Sequence, residues 1–250
     1  MKNLVFSIAL LFSLIANSQT SKELFSKGNN FYQNGKYVEA IEAYTAIEKQ
    51  ELKSSDLFFN LGNCYYKLNK VAPSIYYYEK ALKIEPTHED ALINLAFAKR
   101  MTIDVIEELP KTFLQRFSSS IIQKFTFDTW AIIAVLASFL ASLLFLLYHF
   151  SFSSGKKLFY FNTSLLAAFI LVISVFFSFH NYNSVQKNRT AIIFVAKADI
   201  KNAPSTSSEE VFELHEGTKV VILDELDNWK KIKIADGKIG WIYTDDLKEI

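Results

Sequence analysis

The sequence predicts a multidomain membrane protein: an all-α helical-repeat solenoid, then a two-helix transmembrane hairpin, then a small all-β barrel. Three observations carry this. Apolar residues recur at helical spacing from Ser21 to Arg100, and that stretch matches itself at a 34-residue offset. Two runs, Trp130 to Phe150 and Leu158 to Phe179, contain no Asp, Glu, Lys or Arg. After Arg189 the pattern changes to short alternating runs separated by turn residues.

Composition narrows what these parts can do. A chain of 250 residues has room for two small domains beside its membrane segments, and none for a large catalytic domain. The formal net charge of +1 leaves no basic footprint for nucleic acid. Cys64 is the only cysteine, which excludes an internal disulfide framework and a cysteine-based zinc site.

The N-terminus opens with Met1-Lys2-Asn3, continues as an apolar run from Leu4 to Ala16 and reaches Ala16-Asn17-Ser18. A short basic region, an apolar stretch too brief to span a bilayer and a small-x-small site predict a signal peptide over residues 1–18. An uncleaved anchor is the alternative.

Each charge-free run is about 20 residues, enough for a helix to cross roughly 30 Å of hydrocarbon with its backbone hydrogen bonds satisfied internally. Transmembrane helices are expected over residues 129–150 and 158–179. The short link Ser151 to Lys157 makes them an antiparallel hairpin, and Lys156 and Lys157 within it favour the cytoplasmic side. With the signal peptide, this puts the chain before and after the hairpin in the periplasm, as a two-pass protein of a bacterial inner membrane. Neither run has an ionisable residue near its centre, which argues against a transport path. Between the repeats and the hairpin, residues 104–127 form an amphipathic linker. From Leu109 to Phe127, Phe113, Leu114, Phe117, Ile121, Ile122 and Phe125 fall at roughly helical spacing among Lys111, Arg116 and Lys124, with Pro110 expected to start the helix. Two readings stay open: an interfacial helix, or a linker helix packed on the repeats.

In the helical region, residues 21–101, Gly28 pairs with Gly62 across the offset, Leu24 with Phe58, Phe31 with Tyr65, Tyr44 with Tyr78 and Ile47 with Ala81. Small residues on the first helix of each pair let the second approach, and large ones fill the space between. Asn34-Gly35-Lys36 and Leu68-Asn69-Lys70 supply the turns. A capping helix is expected from about His88 to Met101 with Leu92, Leu95 and Ala96 in register. These positions resemble the tetratricopeptide repeat family, two repeats plus the capping helix, although Lys27 and Leu52 depart from its pattern. The resemblance implies a concave groove for a peptide or helix of a partner protein. Carried over by register, the groove presents Phe25, Asn29, Tyr32, Phe59, Asn60, Asn63, Tyr66, Ile93 and Phe97. Phe25, Asp90 and Asn94 stand where a carboxylate clamp needs cations, so an apolar or neutral peptide is the better ligand. Tyr32 and Tyr66 read equally as ordinary surface tyrosines.

In residues 190–250, strands are expected at Ala191 to Ala196, Val211 to Leu214, Lys219 to Glu225, Trp229 to Ile234 and Ile239 to Tyr243, with Asp236-Gly237 as a tight hairpin turn. The segments Ala198 to Ser205, Leu214 to Thr218, Asn228-Trp229 and Asp236 to Ile242 make this stretch similar to bacterial SH3 domains, hence an SH3-like barrel. Alternation sends Ile232 and Ile234 inward and Trp229, Lys231 and Lys233 outward. Trp229 and Trp241 are candidate ligand-platform residues, with peptidoglycan a candidate ligand; alternatively Trp229 packs under the preceding loop.

No phosphate-cradling loop, nucleophile elbow or zinc-binding helix appears, and the four histidines have no metal-ligand partner at helical spacing. No catalytic, cofactor or metal site is expected, and the chain is read as non-enzymatic. Signal peptide, tetratricopeptide repeats, hairpin and SH3-like module in this order resemble the BatE-type proteins of the Bacteroides aerotolerance (Bat) operon. That resemblance implies an adaptor or scaffold in a cell-envelope stress complex, with membrane-bound von Willebrand A-type partners. A cell-wall-binding sensor or tether acting through the β-module is the alternative.

Overall fold

The computed structural model describes residues 21–250 apart from 108 and 188, so the signal peptide expected over 1–18 lies outside the described residues. The chain divides into two compact units. One contains the helical repeats, His88–Glu108 and Thr190–Ile250; the other is built on Leu109–Arg189.

In the first unit, α1 occupies residues 21–33, followed by α2 (Tyr37–Glu48), α3 (Ser55–Lys67), α4 (Val71–Ile84) and α5 (Glu89–Lys99). The turns within the two pairs repeat like the helices: Gly35 and Asn69, 34 positions apart, both take positive φ. Ser54 caps α3 by accepting from the Leu57 amide. The core is aromatic, with Tyr44, Phe58 and Tyr78 almost fully buried. Glycine makes room for it. A Cβ on Gly28 would lie 2.5 Å from the Tyr44 ring, and one on Gly62 would lie 2.6 Å from Tyr78. Any side chain there would force the ring off the helix.

The capping helix differs from expectation in its ends and its inner face. It begins after His88, whose ring Nδ1 accepts from the Ala91 amide, and it buries Ala91, Leu95 and Ala98. Leu92 and Ala96, expected in register, are exposed. The buried set follows an i, i+4, i+7 stripe, and Leu92 lies one residue off it.

The same unit holds seven antiparallel strands, two more than expected: β1 (Thr190–Ile193), β2 (Lys197–Lys201), β3 (Glu210–His215), β4 (Lys219–Leu226), β5 (Trp229–Lys233), β6 (Ile239–Tyr243) and β7 (Leu247–Glu249). They form one sheet in the order β3-β2-β6-β5-β4-β1-β7. β2 and β7 escape the sequence reading because they are short and charged, Lys197-Ala198-Asp199-Ile200-Lys201 and Leu247-Lys248-Glu249. Alternation on β5 holds: Ile232 is buried, as is Ile234 just beyond the strand. It also carries Lys230 inward. Lys230, 6% exposed as a residue, pairs its ammonium with Glu249 on β7, since a buried charge is tolerable only with a partner.

In the second unit, helices α7 (Phe127–Phe150) and α8 (Ser154–Lys187) lie side by side, antiparallel. Both are long and apolar enough to cross a membrane. α8 continues past 158–179 in both directions, because nothing near Phe179 breaks a helix, and Lys156 and Lys157 occupy its first turn rather than a loop. Small or polar residues, Ala134, Ala137, Ser164, Ala167, Ser174 and Asn181, are the buried ones. Ser164 donates to the Ala141 carbonyl at 3.0 Å, and Ser178 to that of Phe127 at 2.9 Å.

Before α7 the expected long amphipathic helix is replaced by two short pieces. α6 (Phe113–Phe117) starts after Thr112, not Pro110, because Thr112 and Gln115 form a reciprocal capping box. A π-helical turn, Ser118–Ile122, follows. Asn181 Nδ2 donates to the Ile122 and Phe125 carbonyls (3.1 and 2.6 Å), and Trp130 Nε1 to that of Ile122 (3.0 Å). Carbonyls left over where the helix stops thereby find donors on α7 and α8.

Candidate functional site

The predicted groove residues fall on the first helix of each pair and on the capping helix: Phe25, Asn29 and Tyr32 on α1, Phe59, Asn60, Asn63 and Tyr66 on α3, Ile93 and Phe97 on α5. The α1 and α3 residues are half-buried, whereas Ile93 and Phe97 are exposed.

Two amide networks organise this face. Asn29 Oδ1 accepts from the Tyr44 hydroxyl at 2.6 Å and from Asn60 Nδ2 at 3.3 Å. Asn63 Oδ1 accepts from the Tyr78 hydroxyl at 2.7 Å and from Asn94 Nδ2 at 2.8 Å. Each member of the second network stands 34 positions after its counterpart in the first. Burial pushes both phenols well above the ordinary tyrosine range, so they remain neutral donors. Asn29 and Asn63 are therefore partly structural: each links a first helix to its second and to the next first helix. Among the described residues, no protein acceptor takes their Nδ2 groups, which remain available to a ligand carbonyl.

Aromatic rings continue the surface. Phe25 lies against Tyr44 with ring centres 5.7 Å apart, Tyr32 edge-on to Tyr37 at 5.4 Å, and Phe59 against His88 at 4.9 Å. Phe25 and Asn29 also line a cleft of about 850 Å³ with Ser26, Leu52, Lys53 and Leu57. From sequence, His88 stands only as the start of the capping helix and Asn94 only as a departure from the carboxylate clamp; the bonding role of Asn94 was legible as Asn60 shifted by one repeat. Cys64 is buried, and its thiol is pushed up to about 12 by that burial, leaving it an unreactive core residue.

The β-module is docked on α4 and on the chain after α5. Ile192 of β1 belongs to the helical core, while its neighbours Ala191 and Ile193 belong to the sheet's. Phe194 meets Tyr76 of α4 edge-on at 5.6 Å, and the Lys248 ammonium lies 4.7 Å from the Tyr76 ring centre. Gly217 presses closest. A Cβ there would be 2.9 Å from Thr102 and 3.0 Å from Ile75 and Val71, and its φ of +88° independently suits glycine.

Polar contacts close this seam. Lys219 pairs with Glu79 at 2.6 Å, and Lys83 donates to the Ile250 carbonyl at 2.6 Å. Asp104, just after α5, accepts from the His215 amide (2.7 Å), from the His215 ring (2.7 Å) and from the Thr218 hydroxyl (2.6 Å). Burial opposes its ionisation, but the bonds from Thr218 and His215 outweigh that and hold its pKa below the ordinary carboxylate value. Docking thus uses α4 and the chain after α5, while the candidate groove residues lie on α1, α3 and α5.

Both candidate platform tryptophans are half-buried on β5 and β6. Trp229 stands opposite Tyr243 and edge-on to it at 5.7 Å; Lys231 stands opposite Trp241 with its ammonium 5.9 Å from the ring. With Lys233 they make an outward strip of aromatic and cationic side chains.

The chain carries a helical-repeat module and a β-module, with no assembled catalytic group among the described residues. Residues 55–88 match the family model for the tetratricopeptide repeat, and residues 196–248 match that for the bacterial SH3 domain. The first points to protein–protein interaction and the second to cell-wall binding; both are typically non-catalytic modules.

Proposed function

We propose that this chain is a non-enzymatic, membrane-anchored adaptor that holds a peptide or helix of a partner protein in its helical groove. The doubled amide network is the observation that carries the reading. Polar donors recur at one repeat's spacing along an otherwise aromatic surface, as an extended or helical ligand with regularly spaced carbonyls requires. Phe25, Asn29, Tyr32, Phe59, Asn60, Asn63, Tyr66, Ile93 and Phe97 are the contact residues of this reading. The hairpin anchors the chain in a bacterial inner membrane, and its even number of crossings returns both modules to the periplasmic side. Membrane-bound von Willebrand A-type proteins in a stress or aerotolerance complex are the proposed partners, on the strength of the domain order.

Ile93 and Phe97 give the cleanest test, because they are exposed and their loss leaves no buried group unpaired. Ile93→Ser with Phe97→Ser, expressed in intact cells, is expected to cut recovery of co-purifying membrane proteins by tenfold or more at an unchanged melting temperature. Undiminished recovery would remove the groove from the function. Reporter fusions test the anchor: a fusion at Ile250 should read as periplasmic and one at Ser153 as cytoplasmic.

The aromatic and cationic strip, in a module matching the bacterial SH3 domain, favours a second reading as a cell-wall tether. Full-length protein in detergent should then sediment with purified peptidoglycan, and Trp229→Ala with Trp241→Ala should release it. Failure of the native protein to sediment would discard the tether.

A further inference from the structure

We propose that residues 109–125 are a lipid-contacting shelf that lies in the bilayer–water interface and prefers anionic headgroups. The proposal rests on the membrane reading of α7 and α8 and adds a second kind of lipid contact to it.

Three observations place the segment at that depth. Its restraints sit at one end of the hairpin, where Trp130 opens the charge-free run of α7 and Asn181 follows that of α8. Their side chains hold the Ile122 and Phe125 carbonyls within 3.1 Å, so the segment is fixed at the level where hydrocarbon ends. Ring contacts reinforce this, with Phe125 edge-on to Trp130 at 5.4 Å and Trp130 edge-on to Phe177 at 5.0 Å. An indole at that boundary suits the amphipathic zone of a bilayer.

Next is what the segment leaves uncovered. Only Ile122 is buried, while Phe113 and Leu114 are 77% and 75% exposed and Phe117, Ile121 and Phe125 remain open as well. Two phenylalanines and a leucine within five residues do not stay in water when an apolar phase lies at the same level.

Charge then selects the lipid. From Leu109 to Phe127 the chain carries Lys111, Arg116 and Lys124 and no carboxylate. Cations at the end of a membrane helix attract acidic headgroups by simple electrostatics. A lipid surface therefore satisfies the exposed rings and the cations together, and the segment's continuity with α7 makes it the nearest apolar phase.

Depth-dependent quenching in proteoliposomes tests this on the full chain, since Cys64 is buried and an introduced thiol labels selectively. Bimane is placed at Phe117→Cys, at Leu143→Cys within α7 and at Lys233→Cys on β5. Lipids brominated near the headgroup should quench position 117 at least twofold more than position 233, and deep bromines should quench position 143. Replacing phosphatidylglycerol by phosphatidylcholine, or making Arg116→Gln with Lys124→Gln, should reduce quenching at 117 by half or more. If position 143 is quenched and position 117 matches 233, the shelf is overturned while the membrane reading stands. If neither 143 nor 117 is quenched, the membrane reading falls and the shelf with it. Quenching at 117 that ignores lipid charge overturns the anionic preference.

Discussion

The helical repeat and the α7–α8 hairpin use the same side chains in opposite places. In the repeat, Tyr44, Phe58 and Tyr78 are inside and the glycines give them room. In the hairpin the inside is Ala134, Ala137, Ser164 and Ala167, while Phe139, Phe145, Phe169 and Phe176 all face outward. Water drives large rings into a core. Helices that touch through small residues and present rings to their surroundings fit an apolar solvent, where close backbone approach and hydrogen bonds replace hydrophobic burial as the source of association.

The strongest way to break this contrast is to remove one ring from each region. Tyr78→Ala deletes the ring laid over Gly62 and its bond to Asn63, and should cost about 3–5 kcal/mol of repeat stability. If the hairpin spans the membrane as proposed, Phe176→Ala should instead cost less than about 1 kcal/mol in bicelles, because lipid would refill the space. Thermal unfolding followed separately by tyrosine fluorescence and by hairpin crosslinking distinguishes the two; equal losses would end the inside-out reading.

Enlarging small contact residues should hurt both regions. Gly62→Ala meets the Tyr78 ring, and Ala167→Phe wedges α8 away from α7, each at about 1–3 kcal/mol. Chemical denaturation of the first and a crosslinking assay across the hairpin for the second provide the readings.

The seam between repeat and β-module responds to pH. Asp104 has its pKa held below the ordinary carboxylate value of 3.8. Its contribution is therefore complete above that ordinary value and disappears as pH falls through the lowered one. Melting of the native protein should lose this increment only below about pH 4. Asp104→Ala should cost about 1–3 kcal/mol at neutral pH, since the His215 amide and Thr218 hydroxyl lose their acceptor. Its melting curve should also lack that acid-side decline.

Much of this architecture was legible in the sequence because it is written in periods. The 34-residue repeat announces Gly28 with Gly62 and Tyr44 with Tyr78, and the charge-free runs announce α7 and α8. Alternation likewise announces the inward Ile232. What stayed hidden depends on distant partners. Lys230 looks like a surface residue until Glu249 is brought beside it, and Asp104 looks like linker until His215 and Thr218 close on it from more than a hundred residues away. The candidate groove residues follow from register alone, whereas the bonds that Asn29 and Asn63 accept from buried phenols were not legible, because they depend on how far α2 and α4 reach across. Short charged strands such as β2 carry too little alternation to stand out.

The smallest expected effect compares one amide from each region. Asn63 accepts two bonds inside the repeat, one from the buried Tyr78 hydroxyl; Asn181 donates two to backbone carbonyls at the end of the hairpin. Removing Asn63 strands a phenol that water cannot reach, so Asn63→Ala should cost about 1–3 kcal/mol. Removing Asn181 leaves the Ile122 carbonyl its bond from Trp130, and Phe125, whose carbonyl loses its donor, is an exposed residue, so Asn181→Ala should cost about 0.6 kcal/mol, the usual scale for polar contacts in membrane helices. Parallel melts of the two variants in the same bicelles compare them directly. An Asn181→Ala loss as large as that of Asn63→Ala would mean that those carbonyls are sealed from water, moving the Trp130 end of the hairpin deeper than the interface.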